Sequence, residues 1–333
     1  MTVKAAFIFL PAVLALAAAA EAATLTRRLE KSLPLPAGQV VRLTHRYGSI
    51  LARPADTETL RVSAAAIVKG NDRRQAAEFL TGIELSLASW EDTVFVAVLY
   101  PGLVTPSSEF SYEVDLTLLV PPGVRFEAAN AFGDMELYGI TGGSSVTNRY
   151  GNVDFRDCRD VEVTVSHGDV RVAECSGGLG INSSYGNVYL DDVADQVAVD
   201  SRYGDVSGQQ LDGDVTISNV LGSIATEGGR GKWCLVSRYG EVAARLDDST
   251  MTKLDVVAEL ARVRLLLPHV LPFRIEGRVS DGEIGTSYPL QTGNRDGQCR
   301  VSGAQGRGGP HIVFTGAWAD FFIDPDTTGK PAN

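Results

Sequence analysis

A short repeat constrains this chain more than any other feature. In each copy a glycine is followed by a small polar or acidic residue and then by Val, Ile or Met. Successive repeat glycines are separated by 18, 17, 18, 18, 18 and 18 residues. They are Gly133, Gly151, Gly168, Gly186, Gly204, Gly222 and Gly240. Weaker copies begin at Leu260, Asp281 and Thr315, and an early copy, RYGSI, begins at Arg46. Such regularity predicts a stack of similar structural units.

Apolar residues alternate with polar ones on both sides of each repeat glycine. Val161 and Val163 precede Gly168 by seven and five residues, and Val170 and Val172 follow it by two and four. A period of two indicates β-strands. One unit cannot bury its own apolar face, so the units must stack as parallel sheets. The sequence therefore predicts an all-β fold, a single-chain parallel β-solenoid with coils of about 18 residues. Apolar positions six residues apart, which would indicate a hexapeptide β-helix, are not the pattern here.

Charge and glycine content exclude some classes of function. The 41 acidic residues outnumber the 30 basic ones, which gives a formal net charge of -11. A chain of this charge is a poor partner for nucleic acid, because phosphate binding needs a basic surface. The 35 glycines and only 3 methionines fit a turn-rich β fold better than a helical one.

The first residues have the pattern of a secretory signal peptide. Lys4 precedes an apolar run of 16 residues, 5–20, and Ala20-Glu21-Ala22 is a small-x-small cleavage site. The run contains Pro11 and is shorter than the roughly 20 residues that span a bilayer. We therefore expect residues 1–22 to be removed, leaving an extracytoplasmic protein, periplasmic or secreted, without a transmembrane anchor.

The predicted organisation has a β-rich N-terminal module at 23–125, a β-solenoid at 126–323 and a flexible tail at 324–333. The module contains strand-like runs around one helical segment, Asp72 to Leu80, with Asn71 as its expected cap. A solenoid needs a cover over its terminal strands, and this module is the expected N-terminal cap.

The cysteines can be tested against the repeat. Cys158 and Cys175 each lie seven residues after a repeat glycine, so they occupy the same position in adjacent coils. One strand spacing of about 4.8 Å falls within the Cα separation that a disulfide allows. We predict a disulfide between them, which an oxidising compartment would preserve. Cys234 and Cys299 are then the remaining pair.

An aromatic residue precedes most repeat glycines. This possible aromatic ladder consists of Phe132, Tyr150, Tyr185, Tyr203 and Tyr239. A stacked face of tyrosines could bind sugar rings or a peptide. Leu221 and Leu260 occupy the same column, however, and an aliphatic residue suits a packed core better than a stacking platform. We therefore expect the column to be packing that seals the edge of the solenoid.

Three polar columns accompany the aromatic one. Acidic or amide residues directly follow the glycines, as at Asp134 and Asn187, and are expected to cap the turns. They are not expected to bind calcium, because each coil provides one such side chain and calcium takes six or more oxygen ligands. Arg46, Arg149, Arg202 and Arg238 lie two residues before a glycine and are expected to form surface ion pairs. Ser or Asn lies three before, as at Asn148 and Ser183, and is expected to bond the backbone.

Motifs for catalysis are absent from the sequence. There is no GxSxG, no HExxH and no P-loop, and the histidines, His45, His167, His269 and His311, are scattered. No cysteine spacing indicates a metal site. We expect no enzyme, no cofactor and no metal.

The chain resembles the bacterial putative-adhesin family, a domain of unknown function with a β-solenoid fold. The resemblance rests on the turn Tyr100-Pro101, the strand entry VPPG at 120–123, the repeated G-[DNSE]-[VI] coils and the copy GGPHIVFTG at 308–316. It covers roughly Leu43 to Ile323. It implies a role at the cell envelope or surface and brings no catalytic residues. His167 and Leu221 depart from the aromatic pattern.

The leading hypothesis is a non-catalytic, adhesin-like binding or scaffold protein of the cell envelope, whose partner is an envelope glycan or a surface protein. The alternatives are a carbohydrate-active β-helix enzyme, which requires a groove with clustered acids and exposed aromatics, and a regulatory partner in envelope-stress signalling.

Overall fold

The computed structural model describes residues 23–102, 110–247 and 250–326. The predicted signal peptide, residues 1–22, lies outside these ranges. Within them the chain forms 25 strands and the single helix α1. The prediction of an all-β fold is therefore confirmed.

The N-terminal third of the described chain contains the helix. In chain order its elements are β1 (Ala23–Pro34), β2 (Val40–Thr44), β3 (Ile50–Pro54), β4 (Thr59–Gly70), α1 (Arg73–Gly82), β5 (Glu84–Trp90), β6 (Thr93–Leu99) and β7 (Phe110–Val120). The helix is capped by Asp72, whose side chain accepts hydrogen bonds from the backbone N–H groups of Arg74 and Gln75. The expected cap, Asn71, is wrong by one residue.

The middle of the chain contains the regular repeats. Its strands are β8 (Arg125–Phe132), β9 (Met135–Tyr138), β10 (Ser144–Tyr150), β11 (Val153–Arg156), β12 (Arg159–His167), β13 (Val170–Tyr185), β14 (Val188–Arg202), β15 (Val206–Val220), β16 (Ile224–Arg238) and β17 (Glu241–Arg245).

The C-terminal part returns to shorter strands. They are β18 (Met251–Glu259), β19 (Arg262–Leu267), β20 (Phe273–Ser280), β21 (Ile284–Thr286), β22 (Gln291–Arg295), β23 (Gln298–Gln305), β24 (His311–Ala317) and β25 (Asp320–Pro325).

Each coil contributes one segment before the repeat turn and one after it. We call the sheet formed by the segments before the turn the first face, and the sheet formed by those after it the second face. On the first face β10 pairs in parallel with both β8 and β12, so that Val146 lies opposite Ala128 and Val163. On the second face β11 pairs in parallel with β9 and β13. From β13 to β16 a single long strand forms the second-face segment of one coil and the first-face segment of the next.

The core lies between these faces and follows the alternation in the sequence. Val163, Ile181, Val199, Ile217 and Leu235 are all buried and lie in register on successive coils. Each coil therefore buries its apolar side chains against those of the coils above and below. This column supplies the continuous apolar interior that one repeat cannot form alone.

At the N-terminal end the order of the coils differs from the order of the chain. The coil β2/β3 pairs with β8/β9 on one side and with β6/β7 on the other, all in parallel. The hydrogen-bonded sheet therefore continues across residue 125, and the predicted boundary between the module 23–125 and the solenoid 126–323 does not mark a break in the sheet. The early repeat copy at Arg46 forms the turn between β2 and β3. Because these two strands pair with the neighbouring coils, the early copy is part of the stack.

Antiparallel strands surround this end of the stack. On the second face β4 pairs antiparallel with β7, and β1 pairs antiparallel with β4. On the first face β5 pairs antiparallel with β6. The buried side of α1 is formed by Ala76, Phe79 and Leu80.

The C-terminal end has a similar exchange of order. The coil β24/β25 lies between β18/β19 and β20/β21, although β20 and β21 precede it in the chain. The hairpin β22–β23 then pairs antiparallel with β20. Strand β25 continues to Pro325, and Asp326 forms an ion pair with Arg245 at 2.8 Å. The predicted tail therefore begins too early, because residues 324–326 are held by the fold; residues 327–333 lie outside the described ranges.

Candidate functional site

The repeat turns adopt two backbone conformations. Gly133, Gly151, Gly168 and Gly186 have positive φ angles of 127° to 145°. In later coils the residue before the glycine position has positive φ instead, as at Tyr203, Leu221, Tyr239, Leu260 and Trp318. Gly204, Gly222 and Gly240 therefore do not have the positive φ of the earlier glycines. The turn of the weak copy at Thr315 is formed by Trp318 and Ala319, three residues after the glycine position that the sequence predicts.

The residues before the glycine position form a continuous row along one edge of the stack. We call this row the ladder; it consists of Tyr47, Phe132, Tyr150, His167, Tyr185, Tyr203, Leu221, Tyr239, Leu260 and Trp318. With one strand spacing between neighbours, the ladder is about 43 Å long.

The ladder is exposed, which corrects the expectation that it seals a packed edge. Tyr203, Tyr239 and Trp318 are 53%, 49% and 58% exposed. The aliphatic members are no better covered, since Leu221 and Leu260 are 45% and 46% exposed. The physical reason is the position at a convex turn, where the side chain projects outward although its neighbours on the strands alternate inward. The sequence pattern that placed leucine in the column did not establish on which side of the backbone the column lies.

The aromatic members stack face to face. The ring centroids of Phe132 and Tyr150 are 5.1 Å apart with planes inclined by 6°, and those of Tyr185 and Tyr203 are 4.9 Å apart and inclined by 8°. His167 completes the stack between Tyr150 and Tyr185, at 4.8 and 4.9 Å. Each inner ring therefore covers the faces of its neighbours and presents its edge to solvent. Stacking of a sugar ring on these faces, one use expected for the column, is blocked along this part of the ladder.

A column of side-chain caps stabilises the turns beside the ladder. The Oδ1 atom of Asp134 accepts a hydrogen bond from the backbone N–H of Asn152 at 2.7 Å, and Asn152 in turn accepts one from Asp169 at 2.9 Å. The series continues through Asn187 and Asp205 to the N–H of Ser223. These side chains cap the turn of the following coil. Across the three described ranges, no group of three or more His, Cys, Asp or Glu side chains is arranged as a metal site.

Buried amides hold the turns from inside. Asn148 donates two hydrogen bonds from Nδ2, to the carbonyl oxygens of Gly133 and Gly151, both at 3.0 Å. Asn219 does the same for Gly204 and Ser223. In other coils the column contains serine, as at Ser183, Ser201 and Ser237, whose buried hydroxyls have no partner among the described residues. The expectation of backbone bonding therefore holds for the asparagines and is wrong for these serines, whose shorter side chains lie near the turn without a hydrogen-bond partner.

The arginine column forms fewer ion pairs than expected. Arg238 pairs with Glu259 of the next coil at 2.7 Å, and Arg46 lies over the ring of Tyr47 at 5.1 Å. Arg149 and Arg202 have no ion-pair partner in the described part of the chain. These two exposed cations therefore flank the ladder on its first-face side.

The structure holds all four cysteines as thiols. Cys158 and Cys175 lie side by side, and the backbone N–H of Cys158 donates to Cys175 Sγ at 3.4 Å. The hydrogen bond between the two side chains lowers the pKa of Cys158 and raises that of Cys175. The repeat register therefore places Cys158 and Cys175 side by side as predicted, but the structure has no disulfide between them.

Cys234 and Cys299 are not brought together. From β16, which contains Cys234, the first face continues through β18, β24 and β20 to β23, which contains Cys299. Four strand spacings amount to about 19 Å, far beyond the roughly 7 Å limit for a disulfide. The predicted pairing of these two cysteines is wrong, because three strands, β18, β24 and β20, lie between the strands that contain them.

A trough crosses the first face next to the ladder. Two adjoining hollows over β12–β15, of about 500 and 390 Å³, are together called the trough; Arg125 of β8 and Ser144 of β10 close one end of the first hollow. Gly178, Gly180 and Ala198 form part of the first hollow, and Asn182, Asp200 and Arg202 form part of the second. Sequence reasoning missed the trough. Its signal is the run of small residues at outward strand positions between Gly178 and Ala198.

The groove required by the enzyme alternative is present only in part. Asp160, Glu162 and Asp214 supply carboxylates to the first hollow. The aromatic residues lie apart from them, on the ladder at the far end of the strands.

Known proteins give no family assignment for this chain. No family model and no curated protein matches it. Within the described ranges, no helix is long and apolar enough to cross a membrane.

Three solved structures are similar in outline. A putative cell adhesion protein from Clostridium sporogenes ATCC 15579 has 10% identity and a TM-score of 0.27, with 91% of this chain and 100% of that chain covered. A putative adhesin from Parabacteroides merdae ATCC 43184 has 8% identity and a TM-score of 0.35, with 90% and 96% covered. A putative adhesin from Bacteroides fragilis NCTC 9343 has 7% identity and a TM-score of 0.25, with 90% and 97% covered. At these scores the similarity carries no argument about fold or function.

Proposed function

We propose that this protein is a non-catalytic binding module of the cell envelope, in which the ladder is the contact surface for a partner protein. The observation that carries the proposal is the row of exposed apolar side chains along one edge, including Tyr203, Leu221 and Tyr239. Contiguous apolar surface of this kind is typical of interaction sites, whereas scattered exposed apolar residues need no explanation. Aromatic residues are also enriched among the side chains that dominate binding energy.

The stacking geometry favours a protein partner over a glycan at the ladder. The inner rings cover one another, so the ligand meets ring edges, tyrosine hydroxyls and aliphatic groups. Arg149 and Arg202 lie on one flank, while Asp205 and Glu241 lie on the other. An apolar row with charges of opposite sign on its two flanks suits the apolar centre and polar rim of a protein interface.

The scaffold that presents the ladder is, in this proposal, a β-solenoid. Parallel pairing of successive coils on both faces supports it. The proposed N-terminal cap consists of β1, β4, β5 and α1, which replace open parallel strands by antiparallel ones. A cap of this kind would prevent pairing between the ends of two molecules.

An extracytoplasmic location completes the proposal. It rests on the sequence pattern of residues 1–22 and on the side-by-side placement of Cys158 and Cys175, which would form a disulfide in an oxidising compartment.

Capture from solubilised envelope fractions tests the proposal. The purified protein is the bait, and the double variant Tyr203→Ser/Tyr239→Ser removes two ladder rings. The control is Trp90→Ser, which removes an aromatic residue that is 71% exposed and lies outside the ladder. We expect a specific protein band that the control retains and the ladder variant loses. Equal capture by both variants would exclude the ladder as the contact surface, and cleavage of a captured glycan would favour the enzyme alternative.

A further inference from the structure

We infer that the trough is a second binding site, which takes an uncharged oligosaccharide. This site lies beside the ladder, shares the flanking residue Arg202 with it, and goes beyond the proposed function. Each hollow has a volume within the roughly 300–1,000 Å³ typical of ligand sites. Four strands side by side make the trough about 14 Å wide, which suits an extended ligand lying along the strands.

The glycines of the trough are not required by the backbone. Neither Gly178 nor Gly180 has a positive φ. A Cβ on Gly180 would meet nothing nearer than Glu162 Cγ at 3.6 Å, and one on Gly178 would meet only Asp160 Oδ1 at 4.0 Å. Glycine inside a strand is destabilising, so two such residues without a steric cause call for another explanation. Because neither glycine has a side chain, the space above these two positions stays open and forms the hollow.

The side chains around the trough are mostly neutral hydrogen-bonding groups. Thr164, Asn182 and Ser218 line one hollow, and Gln196 and Thr216 line the other. Within the described ranges, their side chains form no hydrogen bond with the protein and are therefore available to a ligand. Hydroxyl and amide groups both donate and accept, which matches the hydroxyls of a sugar.

The excess of carboxylates in the trough disfavours anionic ligands. Four carboxylates line the two hollows, those of Asp160, Glu162, Asp200 and Asp214, against two cations, Arg125 and Arg202. Arg125 is already paired with Glu127 at 3.3 Å, whereas Glu162, Asp200 and Asp214 have no ion-pair partner in the part of the chain that the structure describes. Carboxylates accept hydrogen bonds from sugar hydroxyls but repel sulfate, phosphate and uronate groups. An uncharged saccharide therefore fits better than a polyanion.

Strand pairing excludes an extended peptide added to the sheet. Each of β13, β14 and β15 is hydrogen-bonded in parallel to neighbours on both sides, so no main-chain edge is free in the trough. Peptides that bind by strand addition need such an edge. The floor of glycine and alanine also lacks pockets for apolar side chains.

Binding to a panel of uncharged linear hexasaccharides, made of glucose, mannose or N-acetylglucosamine, tests the inference. Ala198→Trp fills the trough from an exposed position, and Ala225→Trp places the same side chain on the exposed second face as the control. We expect at least one hexasaccharide to bind the wild type and the control, with at least tenfold weaker binding to Ala198→Trp. Gly180→Val should also abolish binding while leaving the melting temperature unchanged or raised.

Three results would overturn the inference. In the first, no uncharged hexasaccharide binds at millimolar concentration. In the second, Ala198→Trp and Ala225→Trp bind the saccharide equally well. In the third, a sulfated hexasaccharide binds the trough in preference to the uncharged ones. The ladder variant Tyr203→Ser/Tyr239→Ser should retain saccharide binding, so a failure of this inference is distinguishable from a failure of the proposed function.

Discussion

Gly186 packs directly against the carbonyl group of Gly168 in the preceding coil, and a Cβ on Gly186 would overlap that oxygen. The φ of Gly186 is also +142°, a region that side-chain-bearing residues rarely adopt. We predict that Gly186→Ala lowers the free energy of unfolding by at least about 2 kcal/mol. Chemical denaturation measures this directly.

Gly204 provides the comparison for that variant. It packs in the same way against Gly186 but does not have positive φ, and Ala261 and Ala319 occupy the equivalent position in the end coils. We expect Gly204→Ala to be less destabilising than Gly186→Ala, and Gly293→Ala, where a Cβ meets nothing within 4 Å, to be neutral. Equal losses at Gly186 and Gly204 would show that the two turn conformations do not differ in energy.

Asn148 should stabilise the protein mainly through the hydrogen bonds of its buried amide and less through the volume that its side chain fills. Asn148→Ala removes two hydrogen bonds and leaves the carbonyl groups of Gly133 and Gly151 without these partners. The expected loss of stability is about 1–3 kcal/mol. Asn148→Asp keeps the shape and removes the donor, so it should be at least as destabilising as the alanine variant. Thermal unfolding of both variants checks the assignment, and an unaffected Asn148→Asp protein would contradict it.

His45 should make stability depend on pH. Burial lowers its pKa below the ordinary value of 6.5, and its Nε2 lies 2.7 Å from the carbonyl oxygen of Val114. Asp115 is the charged group that acts on it. Because the unfolded chain binds the proton more readily, stability should fall as the pH drops below 6.5.

Urea unfolding at pH 7.5 and pH 5.0 measures this effect. His45→Gln should reduce the difference in stability between the two pH values, whereas His167→Gln, at an exposed position of the ladder, keeps the buried imidazole and serves as the control. The same pH dependence in wild type and His45→Gln would contradict the role of His45.

The proposed disulfide joins Cys158 and Cys175, which are 17 positions apart in the chain. In protein prepared from an oxidising compartment, Cys158→Ser/Cys175→Ser should be less stable by about 3 kcal/mol than the wild type. Mass spectrometry of the unreduced protein should find Cys158 linked to Cys175 and leave Cys234 and Cys299 reactive to a thiol reagent. Free thiols at all four cysteines would contradict the predicted disulfide between Cys158 and Cys175.

The repeat period was sufficient to predict much of the fold and little of the site. Alternation around Gly168 and Gly186 identified the strands and the inward residues, because burial in a sheet has a period of two. The order of the end coils could not be predicted, since β2/β3 and β24/β25 are each inserted between two coils that follow one another in the sequence. Tyr203 and Leu221 share a column in the sequence, yet only the turn geometry places that column outside. The trough forms because Gly178 and Gly180 have no side chains. A search for residues that recur in every repeat does not detect such positions.

Protection of individual tyrosines from chemical modification tests the central claim most directly. Tyr185, Tyr203 and Tyr239 are about as exposed as Tyr189, at 49%, 53%, 49% and 39%, but Tyr189 lies on the second face, away from the ladder. The protein is labelled at tyrosine alone and in the presence of solubilised envelope, and each site is quantified by mass spectrometry. We predict that envelope protects the three ladder tyrosines and leaves Tyr189 as reactive as before. Undiminished labelling of the ladder while the protein is bound to its envelope partner would contradict the account.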